Sequence, residues 1–376
     1  MKYKRYFLTS ESVTEGHPDK VADLISDTIL DECLTQDENS RVAVETMVTG
    51  NKVIVAGEIT TNAKLDIEKI VRKTLKKVGY DDEKTTMDYR TCDVEQYIKK
   101  QSNDIALGVD KGGAGDQGIM FGYATDETRE YMPYPILLAH KITKRLSDVR
   151  KKGEMDYLKA DGKAQVTIEY VNDFPIRVDS ILISTQHLEN ADIPTLQRDL
   201  IEKVILKVVD ADMLDAETKF FINPTGRFVI GGAIGDTGLT GRKIICDTYG
   251  GLARHGGGAF SGKDGTKVDR SASYMARHIA KNVVANGMAR RCEIQLSYGI
   301  GMEHPISLFI DCFGTNRIPE HLIIKAIKER FDLTPEGIIE YLKLKEPVYS
   351  RTTNYGHFGR TGFAWERVIQ IWIQQI

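Results

Sequence analysis

The chain has 376 residues, a size beyond which one hydrophobic core normally stops growing, so we expect two or three domains. Its 51 basic and 54 acidic residues give a formal net charge of −3, which argues against a general nucleic-acid-binding protein. The five cysteines are odd in number and form no C-x-x-C pair, which argues against a disulfide framework or a zinc site. No apolar run approaches the roughly 18 residues of a membrane span, and the basic start lacks the features of a signal peptide. We therefore expect a cytoplasmic protein that binds no membrane.

One order of predicted elements, helix, hairpin, helix, occurs three times along the chain. In the first unit a helix begins at Pro18, strands at 41–48 and 53–60 flank a turn at Gly50-Asn51, and a helix at 67–78 ends at Gly79. Periodicity then predicts the corresponding elements of the other two units. In the second unit they are a helix at 136–150, strands at 164–171 and 177–185 around Asn172-Asp173, and a helix at 196–209. In the third unit they are a helix at 271–286, strands at 292–300 and 306–313, and a helix at 320–331.

The spacing of these units predicts the fold class. Their first strands begin near residues 41, 165 and 292, so the spacing is close to a third of the chain, although no residue identity links the units. We predict an α/β (α+β) fold of three structurally similar domains with pseudo-threefold symmetry, each a mixed or antiparallel sheet covered by helices on one face. The predicted boundaries are 1–101, 113–231 and 232–376. The second face of each sheet would be buried between domains or subunits.

A glycine-rich stretch at 241–270 carries the strongest local signal. Eight glycines lie between Gly241 and Gly265, and six Lys or Arg against three Asp lie between Arg242 and Arg270. Glycines let backbone amides approach a ligand closely, and fixed cations favour an anion, so the stretch predicts a polyphosphate site. The alternative, a mobile surface loop, explains the glycines but not the regular placement of Lys, Arg and Asp.

The same stretch resembles a P-loop only in part. Residues 257–263 fit G-x-x-x-x-G-K, but Asp264 stands where a Ser or Thr should hold magnesium. A strand predicted at 244–248 ends well before the glycines, and Gly265 interrupts any helix after Lys263. We interpret the stretch as a phosphate loop of a different kind.

Several acidic residues and one histidine are candidates for phosphate and metal binding. His17 and Asp19 lie at the start of the first predicted helix, where free amides and the helix dipole favour phosphate and its metal. Asp19 and Asp269 could hold magnesium, which needs only one or two carboxylates in addition to substrate phosphates. The alternatives are a simple helix cap and solvated surface acids. Glu45 and Glu58 lie in strands rich in Val and Ile, and a buried carboxylate there would need a cation.

Four motifs together resemble the S-adenosylmethionine synthetase (methionine adenosyltransferase) family. They are ESVTEGHPDK at 11–20, GAGDQG at 113–118, FINPTGRF at 221–228 and GGGAFSGKD at 256–264. The resemblance covers nearly the whole chain, in order. It implies a three-domain fold, a homodimer with active sites shared between subunits and often paired into a tetramer, and two magnesium ions and potassium. The implied reaction converts ATP, L-methionine and water to S-adenosylmethionine, phosphate and pyrophosphate.

The resemblance also implies roles for individual residues. The implied ATP and triphosphate contacts are His17, Asp161, Lys163, Asp236, Arg242, Lys243, Ala259 and Lys263, with Arg227 and Phe228 on the adenosine side. The implied catalytic residues are His17, Lys163, Arg242, Lys263 and Lys267, and the implied methionine pocket is Glu58, Gln101, Asp236 and Lys267. Asp19 and Asp269 match magnesium ligands, and Glu45 with Ser261 matches a potassium site.

One segment departs from the family pattern. Residues 102–112, which include a mobile gating loop in the family, look shorter than in bacterial members, and this puts the gating in doubt. Two other functions are compatible with an ATP site. One is a kinase, which would leave ADP, and the other is a nucleotide-sensing module that binds ATP without turnover.

Overall fold

The computed structural model describes residues 4–100 and 112–371. Its strands are β1 (Arg5–Val13), β2 (Arg41–Thr49), β3 (Lys52–Thr60), β4 (Asp81–Asp82), β5 (Met87–Asp88), β6 (Asp93–Lys99), β7 (Gly118–Thr125), β8 (Leu158–Val171), β9 (Phe174–His187), β10 (Lys219–Ile222), β11 (Gly238–Leu239), β12 (Arg291–Tyr298) and β13 (Ser307–Asp311). Its α-helices are α1 (Pro18–Gln36), α2 (Ile67–Val78), α3 (Tyr134–Lys151), α4 (Ile193–Asp199), α5 (Gly232–Gly235), α6 (Ile244–Asp247), α7 (Val268–Ala285), α8 (Glu320–Arg330) and α9 (Pro335–Leu342).

Three sheets form the framework, and each takes one strand from a distant part of the chain. The strand orders are β11-β2-β3-β6, β1-β8-β9-β10 and β13-β12-β7, beside a small β4-β5 pair. Most neighbours are antiparallel, whereas β6 lies parallel to β3 and β10 lies parallel to β9. The first strand of the chain therefore completes the second sheet, β7 completes the third, and β11 returns to complete the first.

Each sheet packs against one long helix. Helix α1 packs on β2 and β11, α3 packs on β1 and β8, and α7 packs on β7 and β12. Alternate residues of β2 are buried against this layer, as expected for a sheet with one covered face. The predicted fold class, mixed α/β with three similar units, is confirmed. The domain boundaries at 101/113 and 231/232 stay predictions, because strands are exchanged across them.

Most of the predicted elements are confirmed. Helix α1 begins with Pro18 in its first turn, and α2 ends at Gly79, whose φ of 99° is the left-handed conformation that glycine allows. The turn at Asn172-Asp173 has φ of 51° and 66°, as a tight hairpin with the right-handed strand twist requires. The predicted helix at 196–209 is helical but irregular, since α4 continues into a π-helical turn at Leu200–Val204 and a 3-10 turn at Ile205–Lys207.

One predicted strand is wrong, and seven strands of the described residues were missed: β1, β4, β5, β6, β7, β10 and β11. Residues 244–248, predicted as a strand, contain the short helix α6, in which the Asp247 N–H donates to the Lys243 carbonyl. A short apolar run has no period that separates strand from helix, so the tertiary contacts decide. Strands β1 and β7 lie in segments that the sequence placed outside the repeated pattern, and their partners β8 and β12 are far along the chain.

Two hydrophobic cores lie between the sheets and their helices. One is shared by the first and third sheets, and the other lies between β8, β9 and α3. Among the described residues, no helix combines the length and apolar character that crossing a membrane requires.

Candidate active site

Helix α1 places His17 at the cap of its N-terminus. Its Nδ1 accepts the Asp19 N–H at 3.2 Å, and Pro18 fixes the first helical turn. Burial, followed by the positive charges of Lys243 and Lys163, lowers the pKa of His17 to about 3. The imidazole is therefore neutral at neutral pH. Because Nδ1 is the acceptor, the proton lies on Nε2, which can donate to a ligand oxygen.

Asp19 is buried and surrounded by donors from the start of the glycine-rich stretch. Its carboxylate accepts from Lys243 Nζ at 2.8 Å and from the Leu239 N–H at 3.0 Å, and Arg242 Nη1 lies 3.8 Å away. Burial raises the pKa of Asp19, but the hydrogen bonds from Lys243 and Leu239 outweigh burial, and the net shift is downward. Asp19 is therefore an anion that gathers two cations beside His17.

Strand β8 brings Asp161 and Lys163 to the same place. Asp161 accepts the Gly232 N–H at 2.8 Å through one oxygen, and its Oδ1 is buried without a partner. Burial raises the pKa of Asp161 to about 6, against the opposing effect of the Gly232 N–H and of Lys163. Asp236, exposed at the end of α5, raises that pKa slightly through its charge. The sequence-predicted residues that meet here form the histidine cluster: His17, Asp19, Asp161, Lys163, Arg242 and Lys243.

The FINPTGRF motif borders this cluster. The Phe228 N–H donates to His187 Nε2 at 3.0 Å. The Phe228 ring packs against Gly231, where an added Cβ would lie 3.0 Å from the ring. Gly231 directly precedes Gly232, whose N–H donates to Asp161. The side chain of Arg227 points elsewhere, since it forms an exposed ion pair with Glu189 at 2.8 Å. Phe228 therefore borders the cluster, whereas Arg227 would have to leave Glu189 to reach a ligand.

A second group of charged side chains lies at the far end of the glycine-rich stretch. Lys263 Nζ lies 2.7 Å from Asp269, and Lys267 Nζ lies 2.6 Å from the buried Asp264. Burial raises the pKa of Glu45, Lys263 opposes this shift and Glu58 adds to it. Glu45 and Glu58 face the same side of the β2–β3 hairpin, because Glu58 pairs with Ala43 in the register. The second group is the lysine cluster: Glu45, Glu58, Lys263, Asp264, Lys267 and Asp269.

The remaining predicted residues have different positions. Ala259 packs against the start of the stretch, where a Cβ at Gly241 would lie 2.6 Å from the Ala259 Cβ. Ser261 is buried, and its Oγ has no partner among the described residues. Gln101 and nearly all of the segment 102–112, whose gating the sequence put in doubt, lie outside the described residues.

The side chains of the two clusters form separate networks of hydrogen bonds and ion pairs. Across residues 4–100 and 112–371, no hydrogen bond or ion pair joins a side chain of the histidine cluster to one of the lysine cluster. One chain thus brings the predicted phosphate-binding residues together as two groups.

Sequence reasoning missed the buried charges beneath the glycine-rich stretch. Lys20 forms ion pairs with Asp23 and Asp247, and Arg270 forms a bidentate pair with Asp27 at 2.7 and 3.0 Å. These side chains are almost completely buried. The available signal was the recurrence of aspartate every four residues in the first helix, which places the carboxylates on one face.

The fit of the residues to metal ions differs between sites. No group of three or more His, Cys, Asp or Glu side chains suited to a metal is present in the described part of the chain. Magnesium bound mainly by substrate phosphates needs only one or two carboxylates, so Asp19 and Asp269 remain compatible with it. Asp269 fits well, because its Oδ1 faces Gly258, where a Cβ would lie only 2.2 Å away. The unpartnered Ser261 Oγ fits a hard cation that seeks oxygen ligands.

Comparison with known proteins agrees with this geometry. Three family models match in succession: the S-adenosylmethionine synthetase N-terminal domain at residues 5–103, its central domain at 111–228 and its C-terminal domain at 230–367. The chain is also 56% identical over 372 residues to an S-adenosylmethionine synthase of Desulfosudis oleivorans, covering 96% of each protein. The chain therefore belongs to the S-adenosylmethionine synthetase family of methionine adenosyltransferases.

Proposed function

We propose that the protein makes S-adenosylmethionine by in-line attack of the methionine sulfur on C5′ of ATP, with release of tripolyphosphate and its hydrolysis to pyrophosphate and phosphate. The observation that carries this proposal is the histidine cluster. A buried neutral imidazole lies among Lys163, Arg242 and Lys243 at the N-terminus of α1. Such an arrangement suits a strongly anionic leaving group.

The chemistry explains why cations matter more than a base. A thioether sulfur is nucleophilic without losing a proton, so its attack needs no general base. The leaving triphosphate gains negative charge in the transition state, and donors fixed in advance around it supply the largest catalytic effect. Lys163, Arg242 and Lys243 would bind its oxygens, and His17 Nε2 would donate near the breaking C5′–O bond.

The lysine cluster would bind methionine and part of the triphosphate. Lys263 would bind the triphosphate, while Lys267 and Glu58 would bind the carboxylate and ammonium groups of methionine. In the resting chain Lys263 is paired with Asp269 and Lys267 with Asp264, so substrate binding would exchange these partners. Asp161, Asp236 and Ala259 would contact ATP, with Arg227 and Phe228 on the adenosine side, and Gln101 and Asp236 would complete the methionine pocket.

Asp19 and Asp269 would hold two magnesium ions, and Glu45 with Ser261 would hold potassium. Bound magnesium would neutralise part of the triphosphate charge, as it does in other phosphate-transfer sites. The chain's own residues would keep the tripolyphosphate in place for the second step. The same lysines and arginine would bind it and orient the attacking water.

The absence of a hydrogen bond or ion pair between the two clusters, among the described residues, is compatible with a site shared between two subunits. In such a site, a second copy of the chain would bring its lysine cluster to the histidine cluster of the first. Exposed apolar side chains on the strands offer a surface for such a partner. They include Phe7, Ile119, Ile176, Phe221 and Phe309. A homodimer, paired into a dimer of dimers, in the cytoplasm remains our proposal, as do the domain boundaries 1–101, 113–231 and 232–376.

Product analysis tests the proposed reaction. The purified chain would be incubated with ATP, magnesium and potassium, with and without L-methionine, and the products would be measured by mass spectrometry. We expect S-adenosylmethionine, pyrophosphate and phosphate, without ADP, only when methionine is present. Formation of ADP would indicate a kinase, and a thermal shift with ATP but no product would indicate a nucleotide sensor.

A further inference from the structure

The glycine-rich stretch leaves and rejoins the sheet at the same edge. Residues 238–239 pair with β2 at Val48 and Met47, and the Thr240 N–H donates to the Thr46 carbonyl at 3.0 Å. The edge then continues with residues from beyond the loop, since the Val44 N–H donates to the Gly262 carbonyl and the Asp264 N–H donates to the Val42 carbonyl. Residues 241–261 are therefore a loop inserted into one discontinuous strand.

Helix α1 lies beside both ends of this loop and presents four aspartates spaced by four residues. Asp19, Asp23, Asp27 and Asp31 share one helix face, and successive members are about 6 Å apart along the axis. Each accepts one or two backbone N–H groups from residues outside the helix. The donors are Leu239, Gly241, Gly262, and Tyr349 with Ser350, in the order of the aspartates.

The two middle aspartates bind the first residue of the loop and the residue directly after it. Asp23 accepts the Gly241 N–H at 2.8 Å, and Asp27 accepts the Gly262 N–H at 2.8 Å. Arg270 supports the hydrogen bond between Asp27 and Gly262, because it forms the bidentate pair with Asp27 and donates to the Lys263 carbonyl at 3.0 Å. The residues next to these amides are the cations Arg242 and Lys263.

We infer that Asp23 and Asp27 are positioning residues, which set the separation and orientation of the two loop ends and thereby the placement of Arg242, Lys243 and Lys263. Both carboxylates are fully buried and their contacts are internal to the chain, so they act through the loop and touch no substrate. This inference rests on the proposed function, because the cations matter only if they bind a leaving triphosphate. We call the two hydrogen bonds from Gly241 to Asp23 and from Gly262 to Asp27 the clamp. By placing these cations, the clamp would affect the chemical step.

The alanine variant at Asp23 gives the cleanest test. Asp23→Ala removes the acceptor of the Gly241 N–H, but Lys20 keeps its partner Asp247, so no buried charge is left alone. Asp23→Asn retains a side-chain oxygen for the Gly241 N–H and serves as the conservative variant. Asp31→Ala is the matched control, because Asp31 lies on the same helix face but accepts from Tyr349 and Ser350.

We expect Asp23→Ala to lower kcat about 10- to 100-fold while the KM for ATP changes less than about threefold, because misplacement of the cations weakens transition-state contacts more than ground-state binding. Asp23→Asn should recover kcat to within about threefold, and Asp31→Ala should stay within about twofold of the unmodified chain. The inference is overturned if Asp23→Ala keeps its kcat, if only KM changes, or if Asp31→Ala loses as much activity.

Hydrogen exchange separates this inference from the proposed function. In Asp23→Ala, the amides of residues 239–243 should exchange faster than in Asp31→Ala, and in Asp27→Ala combined with Arg270→Met, which removes the acceptor of the Gly262 N–H without leaving Arg270 unpaired, the same should hold for residues 262–264. If the unmodified chain made no S-adenosylmethionine, the proposed function would fail, yet the exchange data would still decide whether the clamp exists. Unchanged exchange in both variants would refute the clamp whatever the activity.

Discussion

Replacing Asp161 with asparagine should change how the free energy of unfolding depends on pH, and the burial of this carboxyl group sets the direction and size of the change. The pKa of Asp161 is raised from 3.8 to about 6, so the folded chain favours the protonated carboxyl and is penalised for holding it ionised. The stabilising contribution of the protonated carboxyl group is fully present below pH 3.8 and is lost as the pH rises through 6. A shift of about two pKa units corresponds to about 3 kcal/mol at high pH.

Asparagine has no such titration. Its oxygen can still accept the Gly232 N–H, and its Nδ2 takes the place of the unpartnered Oδ1. An unpartnered Nδ2 has its own cost of about 1–3 kcal/mol, but that cost does not depend on pH. The free energy of unfolding of Asp161→Asn, relative to the unmodified chain, should therefore rise by about 1.4 kcal/mol between pH 5 and pH 8.

Urea unfolding without ATP, at intervals between pH 5 and pH 8, measures this difference. Asp156→Asn, an exposed substitution just before β8, is the control and should change the free energy by less than about 0.5 kcal/mol at every pH. Parallel curves for Asp161→Asn and the unmodified chain would show that Asp161 is not a titrating buried acid, and the reasoning would be wrong.

Three further predictions concern the lysine cluster and its support. Lys263→Ala should lower turnover about 100-fold or more with the fold intact, as removal of an oxyanion donor does, in a steady-state assay of S-adenosylmethionine. Arg270→Met should destabilise the chain by about 3–5 kcal/mol, because it leaves the buried Asp27 carboxylate unpaired, and Asp27→Asn combined with Arg270→Met should recover much of that loss in urea unfolding. Gly258→Ala should raise the magnesium concentration needed for half-maximal activity, because its Cβ would displace the Asp269 carboxylate.

Each of these predictions has an outcome that contradicts it. Near-normal turnover of Lys263→Ala would remove Lys263 from the triphosphate site. Equal stability of Arg270→Met and the unmodified chain would mean that the buried Asp27 carboxylate does not depend on Arg270. An unchanged magnesium requirement in Gly258→Ala would remove Asp269 from the metal site.

Local elements were largely predictable because their signals are local. Helix α1 has proline in its first turn and an apolar period, and the hairpin at Asn172-Asp173 has turn residues that tolerate positive φ. The exchange of β1, β7 and β11 between sheets was not predictable, because these pairings depend on contacts more than a hundred residues apart. The segment at 244–247 became a helix because its tertiary environment decided a case that periodicity left open.

The candidate site was predictable in its residue types but not in its grouping. Motifs identified His17, Asp19 and Lys263, yet only the fold shows that Lys263 pairs with Asp269, whereas Asp19 lies beside His17 and pairs with Lys243. Aspartates spaced by four in α1 are compatible with a solvated helix face, and the sequence alone did not reveal that they bind the loop. Their burial depends on strand 238–240 and residues 262–264 meeting at one sheet edge.

The most direct test of the central claim follows the oxygen that joins C5′ to the triphosphate. ATP carrying ¹⁸O at that bridging position would be incubated with L-methionine and the purified chain, and the label would be traced by mass spectrometry. If sulfur displaces the whole triphosphate at carbon, all of the label leaves with pyrophosphate and phosphate, and S-adenosylmethionine carries none. Label retained in a nucleoside product, or formation of labelled ADP, would contradict the proposed reaction.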